Sequence, residues 1–595
     1  RDHPERTGGP PLLFRGDDPM SSDPLHRYRD PSIKPSLAKI DHLVGLALCV
    51  GYILWLLPTA RSLGFSRDES FYFHAARDYA QWFDLLVDAP RKAISRAEVD
   101  RLWGYNHEHP SLMKGLFALS WKLLYVKAKL FADESTAFRF PGMVFGGLGL
   151  WVTYLFGART FNRRTGVIAA LLLAFIPRPF YHAHLACFDV PVMTMWIVSI
   201  YAYWRTLQKP SFGRIVVAGL IYGLCLETKH NAWILPIVFV AHAIASQVAS
   251  KRRQGISPAP FPWALVAMAV LGPLVFLGLW PWQWYDTANR VRAYMQFHLH
   301  HDYYNIEYLH KNYYAPPAPI SYAPVMIFAT VPGITLFLFA GGFFERIRGL
   351  IRRVLADIAQ LTKRNAPRGF LPHVDGAETD LLWTLAFLAP LAPFFLPATP
   401  IFGGTKHWFP AYPFLCLFAA RGADLTLAAC RRAFYMVPAK KMQFAEIALA
   451  ALLVLPAAIV TAHSHPFGLS SYTPFVGGTR GGASLGLHRQ FWGYTTQSVD
   501  AYLEPRARPG DGLFLHDTTW WAFEQMQKEH RLPAGIFGTA NPDEARFAVI
   551  QHELHMNENE FNMWNVYNTP SPDYVLTQDD VPIISLWDRL HGARK

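Results

Sequence analysis

Acidic side chains stand at the ends of long apolar runs at several places in this chain. Asp68 and Glu69 come directly after the first run, Glu108 precedes Pro110, and Asp189 opens a later run. A carboxylate within reach of a hydroxyl group can act as a general base, which is commonly worth about 10² to 10⁴ in rate. These acids therefore predict a site at which a proton is taken from a hydroxyl group.

Basic and aromatic side chains gather at the same ends of the runs. Cations there can hold a phosphate group and stabilise the charge that develops on it as a bond breaks. The candidates for phosphate binding are Lys229, Lys406, His109, Arg290 and Arg292. Further candidates for contact with a substrate, including two tyrosines suited to stacking on a sugar, are Glu69, His407, Tyr303 and Tyr304.

Simpler interpretations exist for several of these residues. Asp189 precedes Val190-Pro191 and could only cap a helix. Lys229 could reach the lipid headgroups from a short span. The segment after Trp282 carries a cluster of residues that could bind a metal ion, although alternating spacing is weak evidence for a metal site. The cluster consists of His298, His300, His301 and Asp302.

The composition indicates a membrane protein. Of 595 residues, 51% are hydrophobic and only 17% are charged, and the formal net charge is +12. The apolar residues form blocks near the roughly 20 residues that a helix needs to cross a bilayer. Lysines and arginines lie between these blocks and not along one soluble face, which argues against nucleic-acid binding. The five cysteines show no CxxC spacing, so neither a disulfide framework nor a zinc site is expected.

The basic loops predict the topology, because short loops rich in lysine and arginine stay in the cytoplasm. Residues 1–40 are predicted to be disordered and cytoplasmic, their start at Arg1 suggests a trimmed terminus, and no cleavable signal is expected. Residues 111–131 carry a leucine stripe opposite Lys114, Lys122 and Lys129, which predicts a helix lying in the membrane interface. Eleven spans are then predicted, at about 43–60, 138–156, 166–181, 190–205, 215–227, 233–248, 263–280, 323–344, 381–396, 408–429 and 444–462.

This topology places every candidate site residue at the outer end of a span, and none at mid-membrane. Residues 41–462 form the predicted membrane domain. The chain becomes polar from His463, with β-like runs at 512–516, 546–550, 574–577 and 582–587 and a helical pattern at 520–529. Residues 463–595 are therefore expected to form a small external α/β domain.

The order of these motifs resembles the GT-C integral-membrane glycosyltransferases. The motifs are Asp68-Glu69, Glu108-His109-Pro110, Phe188-Asp189-Val190-Pro191, Thr228-Lys229 and Gly403-Gly404-Thr405-Lys406-His407-Trp408. The nearest relatives by these motifs are the protein O-mannosyltransferases of glycosyltransferase family 39 and the lipid A aminoarabinose transferases of family 83. The resemblance covers about residues 41–462.

The resemblance implies transfer of a sugar from a polyprenyl-phosphate donor to an acceptor outside the membrane, with inversion. Asp68 would be the catalytic base, Glu108 would assist, Asp189 would be the second acid, and Lys229 and Lys406 would hold the lipid phosphate. One departure is His109, where aminoarabinose transferases often carry a lysine, which makes phosphate binding at this position sensitive to pH. These relatives do not generally require a metal ion, so no cofactor is expected, with the histidine loop as the exception to check.

Two other classes of function fit the sequence less well. A flippase or transporter of lipid-linked saccharides would carry ionisable residues at mid-membrane and two matching halves, and neither is seen. A membrane sensor would leave acids at separate helix ends unexplained. An oligosaccharide transferase or ligase stays open within the enzyme class. The expected location is the bacterial cytoplasmic membrane, and the acceptor can be a protein, a lipid or a glycan.

Overall fold

The structure is a computed structural model that describes residues 37–252, 261–362 and 378–592. The chain is mainly helical up to residue 464 and forms mixed helix and sheet after it. The helices before that point are α1 Lys39–Thr59, α2 Arg67–Asp88, α3 Pro90–Ala93, α4 Arg96–Trp103, α5 Leu112–Ser120, α6 Glu134–Thr160, α7 Arg163–Ala174, α8 Pro177–Ala183, α9 Asp189–Gln208, α10 Phe212–Leu226, α11 Leu235–Arg252, α12 Trp263–Leu279, α13 Thr287–Leu299, α14 Tyr322–Thr330, α15 Gly333–Thr362, α16 Thr379–Leu388, α17 Tyr412–Ala433 and α18 Ala439–Ser464.

Several of these helices are long and apolar enough to cross a membrane. Within the described residues there are five such segments, Lys39–Ser62, Glu134–Thr160, His230–Val248, Gly404–Ala433 and Ala439–Ser464. Two bent pairs, α7 with α8 and α14 with α15, raise the number to seven if each pair is one span. The protein is therefore a multi-pass membrane protein.

The eleven predicted spans are only partly matched by helices of spanning length. The predicted spans at 215–227, 263–280 and 381–396 coincide with α10, α12 and α16, which have 15, 17 and 10 residues. A helix of 15 residues is about 22 Å long, less than the roughly 30 Å of the hydrocarbon core. The predicted span at 190–205 coincides with α9, which has 20 residues but is not among the candidate spans.

The predicted interfacial segment 111–131 forms two short pieces. Helix α5 runs into a π-helical turn, Trp121–Lys127, and the segment is not among the candidate spans. Leu123, Val126 and Leu130 are exposed, as expected for side chains that face lipid. Lys114 contradicts the predicted polar face, because it is buried and donates hydrogen bonds to the backbone carbonyls of Asn106 and His109.

Close packing of α1 against α6 fixes the start of the segment that carries Asp68. A Cβ atom on Gly147 would lie 2.8 Å from the carbonyl oxygen of Cys49, so only glycine permits this approach. Beyond α1, the guanidinium group of Arg139 on α6 donates to the carbonyl oxygens of Ala60, Leu63 and Gly64. The turn between α1 and α2 is therefore tied to the helix core.

The part after residue 464 contains a five-stranded sheet in the order β4-β3-β5-β7-β6. Its strands are β3 Gly512–Phe514, β4 Phe537–Thr539, β5 Phe547–Gln551, β6 Tyr574–Gln578 and β7 Val581–Asp588, and its helices are α19 Gly478–Ser484, α20 Asp500–Leu503, α21 Trp520–Lys528, α22 Asn557–Tyr567 and α23 Arg589–Gly592. Strand β3 pairs in parallel with β4 and β5, and β7 pairs antiparallel with β5 and β6. Four strands and α21 lie where the sequence predicts them.

Three strands of the described structure were not predicted. Strand β4 is only three residues long, and an antiparallel hairpin, β1 Ile306–Tyr308 with β2 Lys311–Tyr313, lies in the loop after α13. The predicted disordered segment falls mostly on residues 1–36, which lie outside the described residues, as do the basic residues Arg27, Arg29 and Lys34 used to set the topology.

Candidate active site

A cavity of about 330 Å³ lies at the ends of several helices, between the helical part and the sheet-containing part. This volume falls in the range of sites for small molecules, roughly 300–1,000 Å³. Its polar lining residues include Arg67, Asp68, Tyr72, Asn106, Glu108, His109, Asp189, Lys229, His230, His298, His301, Tyr304, Asn305, Lys406, His488, Glu553 and His555. The predicted catalytic acids Asp68, Glu108 and Asp189 thus share one cavity with Lys229, Lys406, His109 and Tyr304.

Asp68 lies in the first turn of α2 and faces the cavity. Ser66 is the N-cap residue of this helix, and its backbone amide donates to the carboxylate of Glu69 at 3.1 Å. One carboxylate oxygen of Asp68 lies 3.4 Å from the Nζ atom of Lys406, and 29% of the Asp68 side chain is exposed. A carboxylate in this position is accessible to a small hydroxyl-bearing molecule in the cavity.

Lys406 is a buried cation held by a glycine turn and an aromatic ring. Its Nζ atom lies 4.1 Å from the ring centroid of Trp492, a cation–π contact. Gly403 has a φ of +69°, and a Cβ atom there would come within 2.3 Å of the Lys406 side chain. Glycine at this position therefore leaves the space that the lysine occupies.

Asp189 and Lys229 form a buried ion pair. The Lys229 ammonium donates to one oxygen of Asp189 at 2.6 Å, and Nδ1 of His182 lies 3.1 Å from the other oxygen. With Cys187, the residues His182 and Asp189 form the group in the described part of the chain whose ligand atoms lie close enough to hold a metal ion. Both carboxylate oxygens already have protein partners, however, and the ammonium of Lys229 balances the charge of Asp189.

The histidines predicted as a metal-binding loop do not form such a group in the described residues. His298 lines the cavity, and its Nε2 atom lies 2.9 Å from the carbonyl oxygen of Glu108. His300 and Asp302 are exposed at the protein surface. The ring of His301 stacks on that of Phe402, with centroids 4.1 Å apart.

Glu108 and His109 lie side by side on the cavity wall. Asn106 donates to the Glu108 carboxylate at 2.7 Å and holds its orientation. Burial lowers the pKa of His109 well below its usual value, and the ammonium of Lys114 lowers it further. These two effects favour the neutral imidazole at His109, and pH-dependent phosphate binding at this position stays a prediction.

Glu69, predicted to contact substrate, is part of the fold instead. Its side chain is 0% exposed, and Arg139 donates to both of its oxygens, at 2.8 and 2.9 Å. The backbone amide of Ala186 donates to it as well, at 3.0 Å. Because α2 turns by about 100° per residue, Glu69 points into the core where its neighbour Asp68 points into the cavity.

Four other predicted residues are not among those that line the cavity in the described structure. Arg290 donates to Asp100 at 2.6 Å and stacks over Trp282, whereas Arg292 is exposed. His407 is buried behind Phe402, and Tyr303 is half-buried next to the cavity-lining Tyr304. Both arginines lie in the first half of helix α13, whereas Phe297 and His298 at its end line the cavity.

Sequence reasoning did not find the contribution of the last part of the chain. His488, Trp492, Glu553 and His555 all line the cavity, although each lies more than 400 residues after Asp68. His230, which directly follows Lys229, lines it too. The local cluster His552-Glu553-Leu554-His555 was the available signal, but only the packing of the sheet brings it to this site.

A family model matches part of the chain. Residues 117–280 match the family of dolichyl-phosphate-mannose-protein mannosyltransferases. For this segment, the match confirms the resemblance to GT-C glycosyltransferases that the motifs indicated. Asp189 and Lys229 lie within the matched segment, whereas Asp68 and Lys406 lie outside it. No curated protein matches the chain.

Solved structures of low sequence identity cover most of the chain. ArnT from Cupriavidus metallidurans bound to undecaprenyl phosphate is 15% identical with a TM-score of 0.44, over 91% of this chain and 97% of that chain. The archaeal oligosaccharyltransferase AglB from Archaeoglobus fulgidus, in complex with an inhibitory peptide and a dolichol-phosphate, is 10% identical with a TM-score of 0.46, over 91% of this chain and 75% of that chain.

Proposed function

We propose that this protein is a glycosyltransferase that moves a sugar from a polyprenyl-phosphate donor to an acceptor on the outer face of a membrane. The observation that carries the proposal is that a part-exposed carboxylate, Asp68, and two cations, Lys406 and Lys229, line one cavity of about 330 Å³. The family match of residues 117–280 supports the donor class, because that family is named for dolichyl-phosphate-mannose.

The reaction proceeds by direct displacement in this proposal. Asp68 removes the proton from an acceptor hydroxyl group as its oxygen attacks the anomeric carbon of the sugar. The bond between that carbon and the phosphate oxygen breaks, the configuration inverts, and the bonding electrons leave with the polyprenyl phosphate. Lys406 stabilises the negative charge on the departing phosphate through a charge-assisted hydrogen bond.

The contact between Asp68 and Lys406 has a consequence for the order of events. At 3.4 Å, the carboxylate of Asp68 and the ammonium of Lys406 compensate each other's charge. When a phosphate group draws the lysine towards itself, the carboxylate loses that partner and becomes a stronger base. Donor binding thereby prepares Asp68 for the acceptor.

The remaining acids position other groups. Asp189 holds the ammonium of Lys229 at the cavity wall, with His182 on its second oxygen, so that it acts through the lysine and not as a second acid on the substrate. Glu108, oriented by Asn106, faces the cavity and is placed to accept a hydrogen bond from the acceptor.

The proposal includes the membrane arrangement that the sequence indicates. Residues 41–462 form the membrane domain with eleven spans, some of them built from short or bent helices, and residues 463–595 form the external domain. The N-terminus lies in the cytoplasm of a bacterium, and the cavity opens on the outer face of its cytoplasmic membrane. The acceptor is a protein, a lipid or a glycan of that face.

Transfer of radiolabelled sugar tests the proposal. Membranes containing the parent, Asp68→Asn or Asp78→Asn are incubated with a panel of polyprenyl-phosphate monosaccharides, and label in macromolecules is counted. Asp78 lies on the same helix and faces His74 outside the cavity, which makes it a matched control. We expect transfer with the parent and the control and a loss of about 10²-fold or more with Asp68→Asn. Equal transfer by all three would reject Asp68 as the base, and no transfer by any would reject the function.

A further inference from the structure

The wall of the cavity that the external part of the chain contributes is polar and has unused hydrogen-bonding capacity. Asn305, just before hairpin strand β1, lines the cavity, and both polar atoms of its side chain are buried with no hydrogen-bond partner in the described structure. Nδ1 of His555 is also buried without a hydrogen-bond partner there, at 3.6 Å from a carboxylate oxygen of Glu553. Buried polar groups are seldom left unpaired in folded proteins, so these atoms point to a ligand.

The loop that carries Glu553 and His555 is held in place from several sides. It follows β5, whose last residue, Gln551, donates through its side chain to Thr496 and to the backbone of His516. The backbone amide of Leu554 donates to Glu307 of the hairpin at 2.9 Å. The hairpin and the external domain therefore position this loop together.

Glu553 keeps one oxygen available. Its Oε1 atom accepts a hydrogen bond from the buried amide of Gln490 at 3.0 Å, and its side chain is 6% exposed. Burial raises the pKa of Glu553 to about 8. Near neutral pH, the group is a carboxylic acid that can both donate and accept a hydrogen bond.

The chemistry of these groups selects one class of ligand. The Asn305 amide offers two N–H donors and one carbonyl acceptor, and Glu553 offers one of each. A phosphate only accepts hydrogen bonds and an ammonium only donates them, so neither satisfies both sides of this set. A hydroxyl group donates and accepts.

We propose that Asn305, Glu553 and His555 form a subsite for the hydroxyl groups of a sugar, built by the external domain and the β1–β2 hairpin. The inference rests on the proposed function and gives the external domain a role in it, which is to recognise the sugar while Lys406 and Lys229 hold the phosphate. The sugar is either that of the donor or one in a glycan acceptor, and the two sources share this chemistry.

Asn305→Ala is the cleanest test, because a side chain without protein hydrogen bonds can be shortened with little loss of stability. The full-length protein is purified in detergent, and binding of undecaprenyl phosphate is compared with that of undecaprenyl-phosphate mannose, glucose and galactose. Glu553→Ala is the second variant, Glu553→Gln keeps the hydrogen bonds, and Glu558→Ala on the exposed face of α22 is the control.

If the subsite takes the donor sugar, Asn305→Ala and Glu553→Ala weaken binding of the sugar-bearing lipid by about 5- to 30-fold and leave binding of undecaprenyl phosphate unchanged. Glu553→Gln and Glu558→Ala then bind like the parent near neutral pH. If it takes the acceptor sugar, both lipids bind normally and transfer to membrane acceptors at saturating donor falls by a similar factor.

Unchanged lipid binding together with unchanged transfer in Asn305→Ala and Glu553→Ala would overturn the subsite and leave the proposed function intact. Equal weakening of both lipids would also overturn it, because that result indicates a general loss of folding or phosphate binding. If the parent transfers no sugar at all, the proposed function fails, and the binding comparison alone then decides whether the subsite exists.

Discussion

Asp68 and Glu69 are adjacent acids for which the structure predicts opposite consequences of mutation. Each is replaced in turn by its amide, Asp68→Asn and Glu69→Gln, so that volume is kept and only charge and acceptor capacity change. The first should remove catalysis and leave stability almost unaltered. The second should lower stability first, with any loss of activity following from that.

The two magnitudes come from the contacts. Asp68 is 29% exposed and makes one ion pair at 3.4 Å with the buried Lys406. Because that ammonium keeps its contact with the Trp492 ring when the pair is lost, we expect a cost of about 1 kcal/mol in the free energy of unfolding. Removal of Asp68 as a base costs about 10² to 10⁴ in rate. Glu69 is fully buried on Arg139, and removing one partner of a buried ion pair costs about 3–5 kcal/mol because the other charge is left uncompensated.

Thermal unfolding and sugar transfer are measured on the same preparations. Cys49, Cys187, Cys225 and Cys416 are buried, so a thiol-reactive fluorophore reports unfolding as they become exposed. With an unfolding entropy of about 2.1 cal/mol/K per residue, a loss of 3–5 kcal/mol lowers the midpoint by roughly 2–4 °C if the chain unfolds as one unit, and by more if part of it unfolds alone. Asp68→Asn should unfold within about 1 °C of the parent.

Two results would refute this reasoning. If Asp68→Asn transferred sugar at the parental rate, Asp68 would not be the base. If Glu69→Gln unfolded at the parental temperature but had lost all transfer, then Glu69 would act on the substrate, as the motif alone suggested, and the Arg139 contact would not anchor the fold.

Three further predictions concern Lys406, Lys229 and Glu553. Lys406→Met should weaken donor binding by about 10-fold or more, since hydrogen bonds to charged groups are worth roughly 1.5–3 kcal/mol, whereas Arg290→Met should change it less than about 2-fold. Lys229→Met alone should lower the free energy of unfolding by roughly 3–5 kcal/mol and therefore unfold at a lower temperature. Addition of Asp189→Asn should recover much of that stability without restoring donor binding. Because its raised pKa makes the folded state favour the neutral form of Glu553, the parent should lose stability relative to Glu553→Gln as the pH rises from about 4.5 to 8, and unfolding temperatures across this range test it.

Each of these three predictions has a result that would contradict it. Equal donor affinities in Lys406→Met and Arg290→Met would show that Lys406 does not bind the donor phosphate. A double variant no more stable than Lys229→Met would show that the ion pair with Asp189 is not the source of the loss. Parallel pH profiles of the parent and Glu553→Gln would show that Glu553 is ionised in the folded protein.

Secondary structure after residue 464 could be predicted closely from sequence, whereas the lengths and bends of the membrane helices could not. The four runs at 512–516, 546–550, 574–577 and 582–587 are rich in apolar and aromatic residues, three of them also in β-branched residues, and each contains a strand of the structure. Spans depend on helix length, and hydropathy does not detect the 75° bend between α7 and α8 or the 118° bend between α14 and α15. Pro177 and Pro179 indicate a break near the first bend, but the sequence does not indicate the angle through which the chain turns there.

For the candidate site, sequence order predicted which helix ends carry reactive groups but not which side chains reach the cavity. Arg290 and Lys406 carry the same charge in segments that join the apolar runs, yet Arg290 is engaged by Asp100 and Trp282 whereas Lys406 faces Asp68. The difference arises from packing over long sequence separations, which a local pattern does not encode. Glu553 was missed for the same reason.

The first turn of α2 shows how much one short motif determines once its neighbours are known. Arg67, Asp68 and Glu69 point in directions about 100° apart, to the external domain, the cavity and the helix core. Arg67 pairs with Asp517, and its backbone amide donates to the carbonyl oxygen of Trp492 at 2.9 Å. Glu69 is fixed on Arg139 of α6. Asp68 is thus held between two parts of the protein. We therefore expect that loosening the sheet-containing part would displace Asp68 and Trp492 together and lower transfer without any change to these two side chains.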